Sequence, residues 1–212
     1  MTGALIVVAV IVVGWFAIGS TVNVRKGHAA LRWLEGGLPF LGERTTVRWL
    51  GTTAIEMRLA KAKAPFDEAA VIVFLEPRDM PWLWGLSRNR GRRDTLIVRA
   101  SLRRAPSDEL EILDRASWSG RDALRRLSEK RWSVREPASP DDLTVYHKFP
   151  RSLEMADSLT AIARGGGVSV RRLALHPAEV PFELHADLPA SGSSAAEFFT
   201  AVCAIGERAG AA

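Results

Sequence analysis

Along the chain, the first feature in the pattern of apolar and polar positions is a stretch with no period at all. Met1 to Val24 carries no charged residue, and Ala4 to Ile18 is a nearly unbroken apolar run rich in Val and Ile. With the mild residues around it the run is about 20 residues long, enough to cross roughly 30 Å of hydrocarbon. Leu5, Ile6, Val10, Ile11, Trp15 and Phe16 are its anchoring side chains. Gly14 and Gly19 do not object, since glycine is common in membrane helices. A cleaved signal peptide would want Lys or Arg before the run and a small-residue cleavage site after it. Only Met1, Thr2 and Gly3 precede the run, and no such site is evident. A buried soluble helix is rarely apolar all round over this length. Residues 1–24 therefore read as one transmembrane helix.

Behind it the pattern changes to period two. Gly27 to Leu34 is open between a strand and an interfacial helix, and Gly36-Gly37-Leu38-Pro39 breaks it. Thr45 to Leu50 reads as a strand. Thr53 to Ala60 sets Ile55, Met57 and Leu59 opposite Glu56 and Arg58, the alternation of a half-buried strand. Ala69 to Leu75 is an apolar run suited to a central strand. Thr95 to Leu102 alternates again, with Arg99 and Ser101 facing away from Leu96, Val98 and Leu102. Strands in this order with short links predict an antiparallel meander.

The second half is more helical. Ser119 to Arg131 predicts a helix, with Ser119 and Asp122 forming a loose capping box. Short strands are expected at Trp132–Arg135 and Leu143–His147. Arg151 to Arg164 has helical spacing and is stopped by Gly165-Gly166-Gly167. Val168–Leu175 and Val180–Leu188 read as strands joined through His176-Pro177, and Ser194–Arg208 as a final amphipathic helix. The fold class is thus α+β: a β-rich part over residues 25–136, the linker Pro137-Ala138-Ser139-Pro140, and an α-β-β-α part over residues 141–212. Trp33, Trp49, Trp118 and Trp132 lie in patterned elements and are expected in the core. The echo of Arg32-Trp33-Leu34 in Arg48-Trp49-Leu50 reads as coincidence or as two neighbouring strands.

Composition narrows the class. The chain has 212 residues, 47% hydrophobic and 25% charged, which suits one or two globular domains and excludes global disorder. The single cysteine, Cys203, excludes an internal disulfide framework, and its place beside Phe199 suggests a buried, inert thiol. Charge is uneven. The net charge is +5, yet residues 78–104 alone carry 8 basic and 2 acidic groups. Arg25 and Lys26 follow the apolar run directly and nothing basic precedes it. The positive-inside rule then predicts an inner-membrane protein with its N-terminus outside and about 185 residues in the cytoplasm.

Familiar chemical motifs are missing. There is no dinucleotide fingerprint, phosphate-binding loop, nucleophile elbow or zinc-protease helix. His28, His147, His176 and His185 match no common zinc spacing. His176 and His185 are positioned to face each other across a hairpin, where hydrogen-bonded or solvated histidines are the simpler reading. Asp108-Glu109 and Asp141-Asp142 sit at predicted loop or helix starts, where carboxylates suit the helix dipole. No catalytic residue, metal or cofactor is assigned.

One constellation is informative. Trp82, Leu83, Trp84 and Leu86 are followed at once by Arg88, Arg90, Arg92 and Arg93, all within an expected loop of about 16 residues, long for a loop without a role. Trp favours the membrane–water boundary, and Arg beside it attracts anionic headgroups. The alternatives are a core role for the Trp residues with Arg as a solvated rim, or docking on a membrane protein partner, since Trp and Arg are frequent hot-spot residues. Nucleic acid is not expected. The function expected is a non-catalytic accessory or scaffold protein, held by its helix in the lipid bilayer, that docks on anionic headgroups or on a membrane complex. The alternatives are a membrane-tethered enzyme using His147, His176 and His185, and a lipid- or small-ligand-binding module.

Overall fold

A computed structural model describes residues 2–106, 108–139, 142–177, 181–189 and 192–211. It is α+β, with one long apolar N-terminal helix and an antiparallel sheet domain. That helix, α1, runs without a break from Thr2 to Glu35. Residues 2–18 are exposed on every side, and burial then follows Gly19, Asn23, Gly27, Ala30 and Leu34 at helical spacing. One rod is therefore a bare apolar helix in its first half and a core helix in its second. Gly27 to Leu34 is neither a strand nor an interfacial helix, and the Arg32-Trp33-Leu34 echo lies on α1 rather than on a strand. The reason is close approach: a Cβ at Gly27 would lie 2.4 Å from the Trp49 ring and 2.9 Å from Ile55. A helix seated that tightly uses small residues as its buried stripe.

Among the described residues the sheet has nine strands in the order β1-β2-β3-β4-β9-β8-β5-β7-β6. They are β1 (Gly42–Trp49), β2 (Ala54–Ala62), β3 (Phe66–Phe74), β4 (Thr95–Leu102), β5 (Leu110–Leu113), β6 (Ser133–Arg135), β7 (Thr144–His147), β8 (Val170–Leu175) and β9 (Phe182–Asp187). The first four form a meander. β9 then pairs with β4, so residues 25–136 and 141–212 contribute to the same sheet. β5 has no counterpart in the sequence reading, because all four of its residues are buried and no alternation marks it.

Alternation divides the sheet into two faces. Leu96, Val98 and Ala100 of β4 and Phe182 and Leu184 of β9 join the main core, under α1, α2 (Leu38–Leu41), α5 (Ser152–Gly165) and α6 (Ala195–Gly210). The other face is covered in part by α4 (Trp118–Leu127), whose Ala123 and Leu127 pack on Leu113 and Tyr146. The N-cap of α4 is Ser117, whose Oγ accepts from the Gly120 amide at 2.9 Å; the expected capping role of Ser119 is displaced by two residues, and the helix stops at Leu127. Part of the expected linker, Pro140, lies outside the described residues, as do Asp141 and the Val180 start of the last strand.

Candidate membrane-docking site

Strand register brings several connections to one end of the sheet. Trp49 pairs with Ile55, Phe74 with Ala54 and Thr95, Asp187 with Thr95, and Leu113 with Arg172 and Thr144. The β1–β2 turn, the long β3–β4 connection and the approach to α4 therefore cluster there. The β3–β4 connection is not the open loop expected over Trp82–Arg93. It contains a helix, α3 (Pro81–Asn89). Pro81 supplies the preset φ of a first helical residue, and Ser87 Oγ donates to the Leu83 carbonyl at 2.6 Å.

The orientation of α3 is inverted relative to a soluble amphipathic helix. Its buried residue is Ser87, while Trp82 is 66% exposed and Leu83 and Leu86 are exposed as well. Leu50, Met80 and Trp118 add exposed apolar surface at the same end; of these, Trp118 was expected in the core. Trp84 instead turns inward. Its Nε1 donates to Glu76 Oε2 at 2.5 Å, and Glu76, only 2% exposed, also meets Arg78 and Arg88 at 3.3 Å. Arg90 and Arg93 are exposed, and Arg93 donates to the Arg88 and Arg92 carbonyls, closing the helix end. Arg92 stacks its guanidinium over the Trp118 ring at 5.6 Å.

This end of the sheet is bolted to α1 where the bare half begins. Trp15 Nε1 donates to the Arg78 carbonyl at 2.9 Å, and the Trp15 and Trp84 rings lie 6.5 Å apart. A Cβ at Gly19 would sit 2.3 Å from that same carbonyl. Arg78 reaches Asn23 Oδ1 at 3.2 Å and forks onto both oxygens of Asp94 at 2.8 Å. Lys26 and the Glu76 amide also donate to Asp94, each at 2.8 Å. Burial opposes ionisation of Asp94, but these hydrogen bonds outweigh it and hold its carboxyl below the usual range. The other anchor positions, Leu5, Ile6, Val10, Ile11 and Phe16, stand exposed on the bare half of α1.

The histidines do not form the expected group. His147 accompanies Leu110 on the main-core face and bonds through Nδ1 to the Phe149 carbonyl at 2.9 Å. His176 and His185 do not face each other. The residue opposite His185 is Arg172, and each histidine has its own carboxylate. His176 meets Glu111 at 3.0 Å and His185 meets Glu183 at 2.7 Å. Arg172, 4% exposed, joins the two carboxylates through Nε to Glu111 at 2.8 Å and Nη1 to Glu183 at 2.6 Å. No motif signals this cluster; the readable hint is Glu183, His185 and Asp187 at alternate positions of β9. Cys203 is half-buried beside the Phe40 carbonyl, and burial together with Glu207 pushes its thiol up to about 11, away from nucleophilic reactivity. Among the described residues no group of three or more His, Cys, Asp or Glu is placed to hold a metal ion.

The cluster predicts an acid-sensitive fold. Burial lowers the His185 pKa below its ordinary 6.5, so its contribution to stability is complete above pH 6.5 and is lost as pH falls through the lower folded value. Glu183 and Glu111 are buried, which opposes ionisation, yet their His and Arg partners hold both below the ordinary 4.5, adding a second loss in more acid solution. The melting temperature of the full chain is expected to be flat above pH 7, to decline below 6.5 and to fall steeply below 4.5. His185→Asn should remove the first decline. A melting temperature that rises between pH 6.5 and 5 contradicts the assignment.

No family model matches the chain, and none of the curated proteins matches it.

Proposed function

We propose that this chain is a single-pass, membrane-anchored accessory or scaffold protein whose domain is seated on the bilayer surface by α3. The observation that carries the reading is the position of α3. α3 carries Trp82, Leu83 and Leu86 outward, and its Trp84 ring lies 6.5 Å from that of Trp15, near where the bare half of α1 meets the domain. Indole rings suit the membrane–water boundary. Residues 2–18 rise about 25 Å at 1.5 Å per residue, within the range of a membrane span. Cleavage after the apolar run would remove Trp15, with its hydrogen bond to the Arg78 carbonyl and its contact with Trp84, which favours a retained anchor over a signal peptide.

The energetics are modest but sufficient. Exposed Arg residues near an anionic surface contribute about 1 kcal/mol each, and a fully covered Trp or Leu adds on the order of 1.5–3 kcal/mol. The anchor makes docking intramolecular, so a few kcal/mol keeps the domain seated. Arg25 and Lys26, directly after the span, favour an N-out orientation with the domain in the cytoplasm. Seating would leave β1 as a free sheet edge, with Arg44 and Arg48 exposed along it, for a membrane-protein partner.

Hydrogen exchange of the full chain in proteoliposomes tests the seating. Amides of α3 should be protected in bilayers containing phosphatidylglycerol. Arg90→Ser with Arg93→Ser should weaken the docking equilibrium about 30-fold, from roughly 2 kcal/mol of lost attraction. Protection that ignores both lipid charge and these substitutions overturns the lipid reading. Purification in mild detergent tests the scaffold role: a stoichiometric membrane partner supports it, and a lone chain overturns it.

A further inference from the structure

The sheet ends in two unequal edges. On one side β6 is three residues long, too short to template a further strand. On the other, β1 runs for eight residues, and Glu43 to Arg48 are all exposed. β1 holds one register against β2 from Arg44↔Ala60 to Trp49↔Ile55, without a bulge or a proline.

The register tells which backbone groups are free. The Leu50 amide donates to the Ala54 carbonyl at 2.8 Å. Pairs that exchange hydrogen bonds alternate along an antiparallel ladder. Arg44, Thr46 and Arg48 thus direct their amides and carbonyls to β2, and Thr45, Val47 and Trp49 turn theirs to the open edge. Among the described residues none of these outward groups has a partner.

Side chains divide the same way. Thr45, Val47 and Trp49 lie on the core face, opposite Leu59, Met57 and Ile55. α1 covers Trp49 through Gly27, while Val47 stays 46% exposed at the margin. Arg44, Thr46 and Arg48 lie on the other face. Arg48 is opposite Glu56, but that carboxylate bonds Arg58 at 3.0 Å. Glu43, the acid of β1, pairs with Lys61 at 3.2 Å. Arg44 and Arg48 meet no carboxylate among the described residues. The edge therefore carries two unmatched positive charges on one face and an uncovered valine between them on the other.

These charges select the occupant. A second copy pairing antiparallel about Thr46 would set Arg44 against Arg48 twice, and like charges directly opposite are destabilising. It would also run its strand the other way and carry its own α1 away from the bilayer that holds the first. A parallel copy in register would set each arginine beside its counterpart. An acidic strand meets neither obstacle.

We propose that β1 is the docking edge for an extended acidic segment of the membrane partner, added antiparallel as a tenth strand of the sheet. Read along its own direction, the segment sets an acid against Arg48, an apolar residue against Val47, a small polar residue against Thr46, a β-branched residue against Thr45 and a second acid against Arg44. Backbone hydrogen bonds to Thr45 and Val47 hold it, and the two acids choose it. That the partner is a membrane protein rests on the scaffold reading; the strand chemistry does not.

A fluorescent peptide, Thr-Glu-Val-Thr-Val-Glu-Thr, titrated into the full chain in uncharged micelles and followed by anisotropy, tests the edge. Binding should saturate. N-methylation of both valines, whose amides face β1, should abolish it, and N-methylation of the central threonine, whose amide faces away, should be tolerated. Arg44→Glu with Arg48→Glu should weaken binding about tenfold. The peptide with lysine in place of both glutamates should then bind that variant and not the parent. Val47→Pro removes an edge amide that β2 does not use, and should abolish binding while the melting temperature is kept. No saturation up to about 1 mM, equal binding of the two peptides, or indifference to valine methylation overturns the proposal. So does a dimer in micelles that Val47→Pro dissociates, which would give the edge to a second copy. Protection of α3 in phosphatidylglycerol bilayers does not involve β1, so failure of the edge is distinct from failure of the docking reading.

Discussion

Val10→Lys combined with Ile11→Lys is expected to release nearly all of the chain from carbonate-washed membranes. Both positions lie in the bare half of α1, exposed and far from any domain contact. Replacing a mid-span Val or Ile by Lys changes insertion by about 3–4 kcal/mol per residue, so the pair removes roughly 6–8 kcal/mol. The substitutions leave Gly19, Asn23, Gly27, Ala30 and Leu34 in place, so the domain should keep its near-ultraviolet circular dichroism. A doubly substituted chain that still resists carbonate would show that residues 2–18 are not what holds the protein to the membrane.

The second large effect is on the domain itself. Arg172→Ala should destabilise it by about 3–5 kcal/mol, a large part of the 5–15 kcal/mol typical of a domain. The loss arises because Glu111 and Glu183 stay buried after their shared cation is gone, each keeping weaker partners in His176, Arg99 and His185. Asp122→Ala breaks only the pairs to Arg125 and Arg126 on the surface of α4, and should cost under about 1 kcal/mol. Denaturant titration of the full chain in micelles compares the two. A cost for Arg172→Ala no larger than for Asp122→Ala would mean the buried network carries no stability.

Much of this architecture could be read from side-chain pattern where one face of an element is apolar. In β2, Ile55 and Met57 alternate with Glu56 and Arg58, in β4 Val98, Ala100 and Leu102 alternate with Arg99 and Ser101, and the meander follows from them. Reading failed where burial is not apolar. The buried stripe of α1 holds Gly19, Asn23 and Gly27, which have no hydrophobic period, so the second half of that helix was invisible. In β5, Glu111 is buried by Arg172 and His176, which erased the alternation. The candidate site shows the same thing. The Trp-Leu-Arg segment stands out by composition, but its nine-residue helix, with Trp82, Leu83 and Leu86 outward and Ser87 inward, contradicts the pattern of a soluble helix, so side-chain pattern alone predicts a loop there. The inverted face is itself what favours a lipid-facing role. The Arg172 cluster depends on pairing between β5, β8 and β9, which no local signal encodes.

The most direct test of the account is the depth of α3. A nitroxide is placed at Leu83→Cys in a Cys203→Ser background, with the full chain in proteoliposomes containing phosphatidylglycerol. A second label at Lys130→Cys, beyond the far end of α4, serves as the water reference. The account predicts that the Leu83 label relaxes faster with oxygen than with a water-soluble nickel chelate, as a lipid-immersed site does, while the Lys130 label shows the reverse. Equal chelate accessibility at the two positions would place α3 in water and contradict the docking of this domain on the membrane.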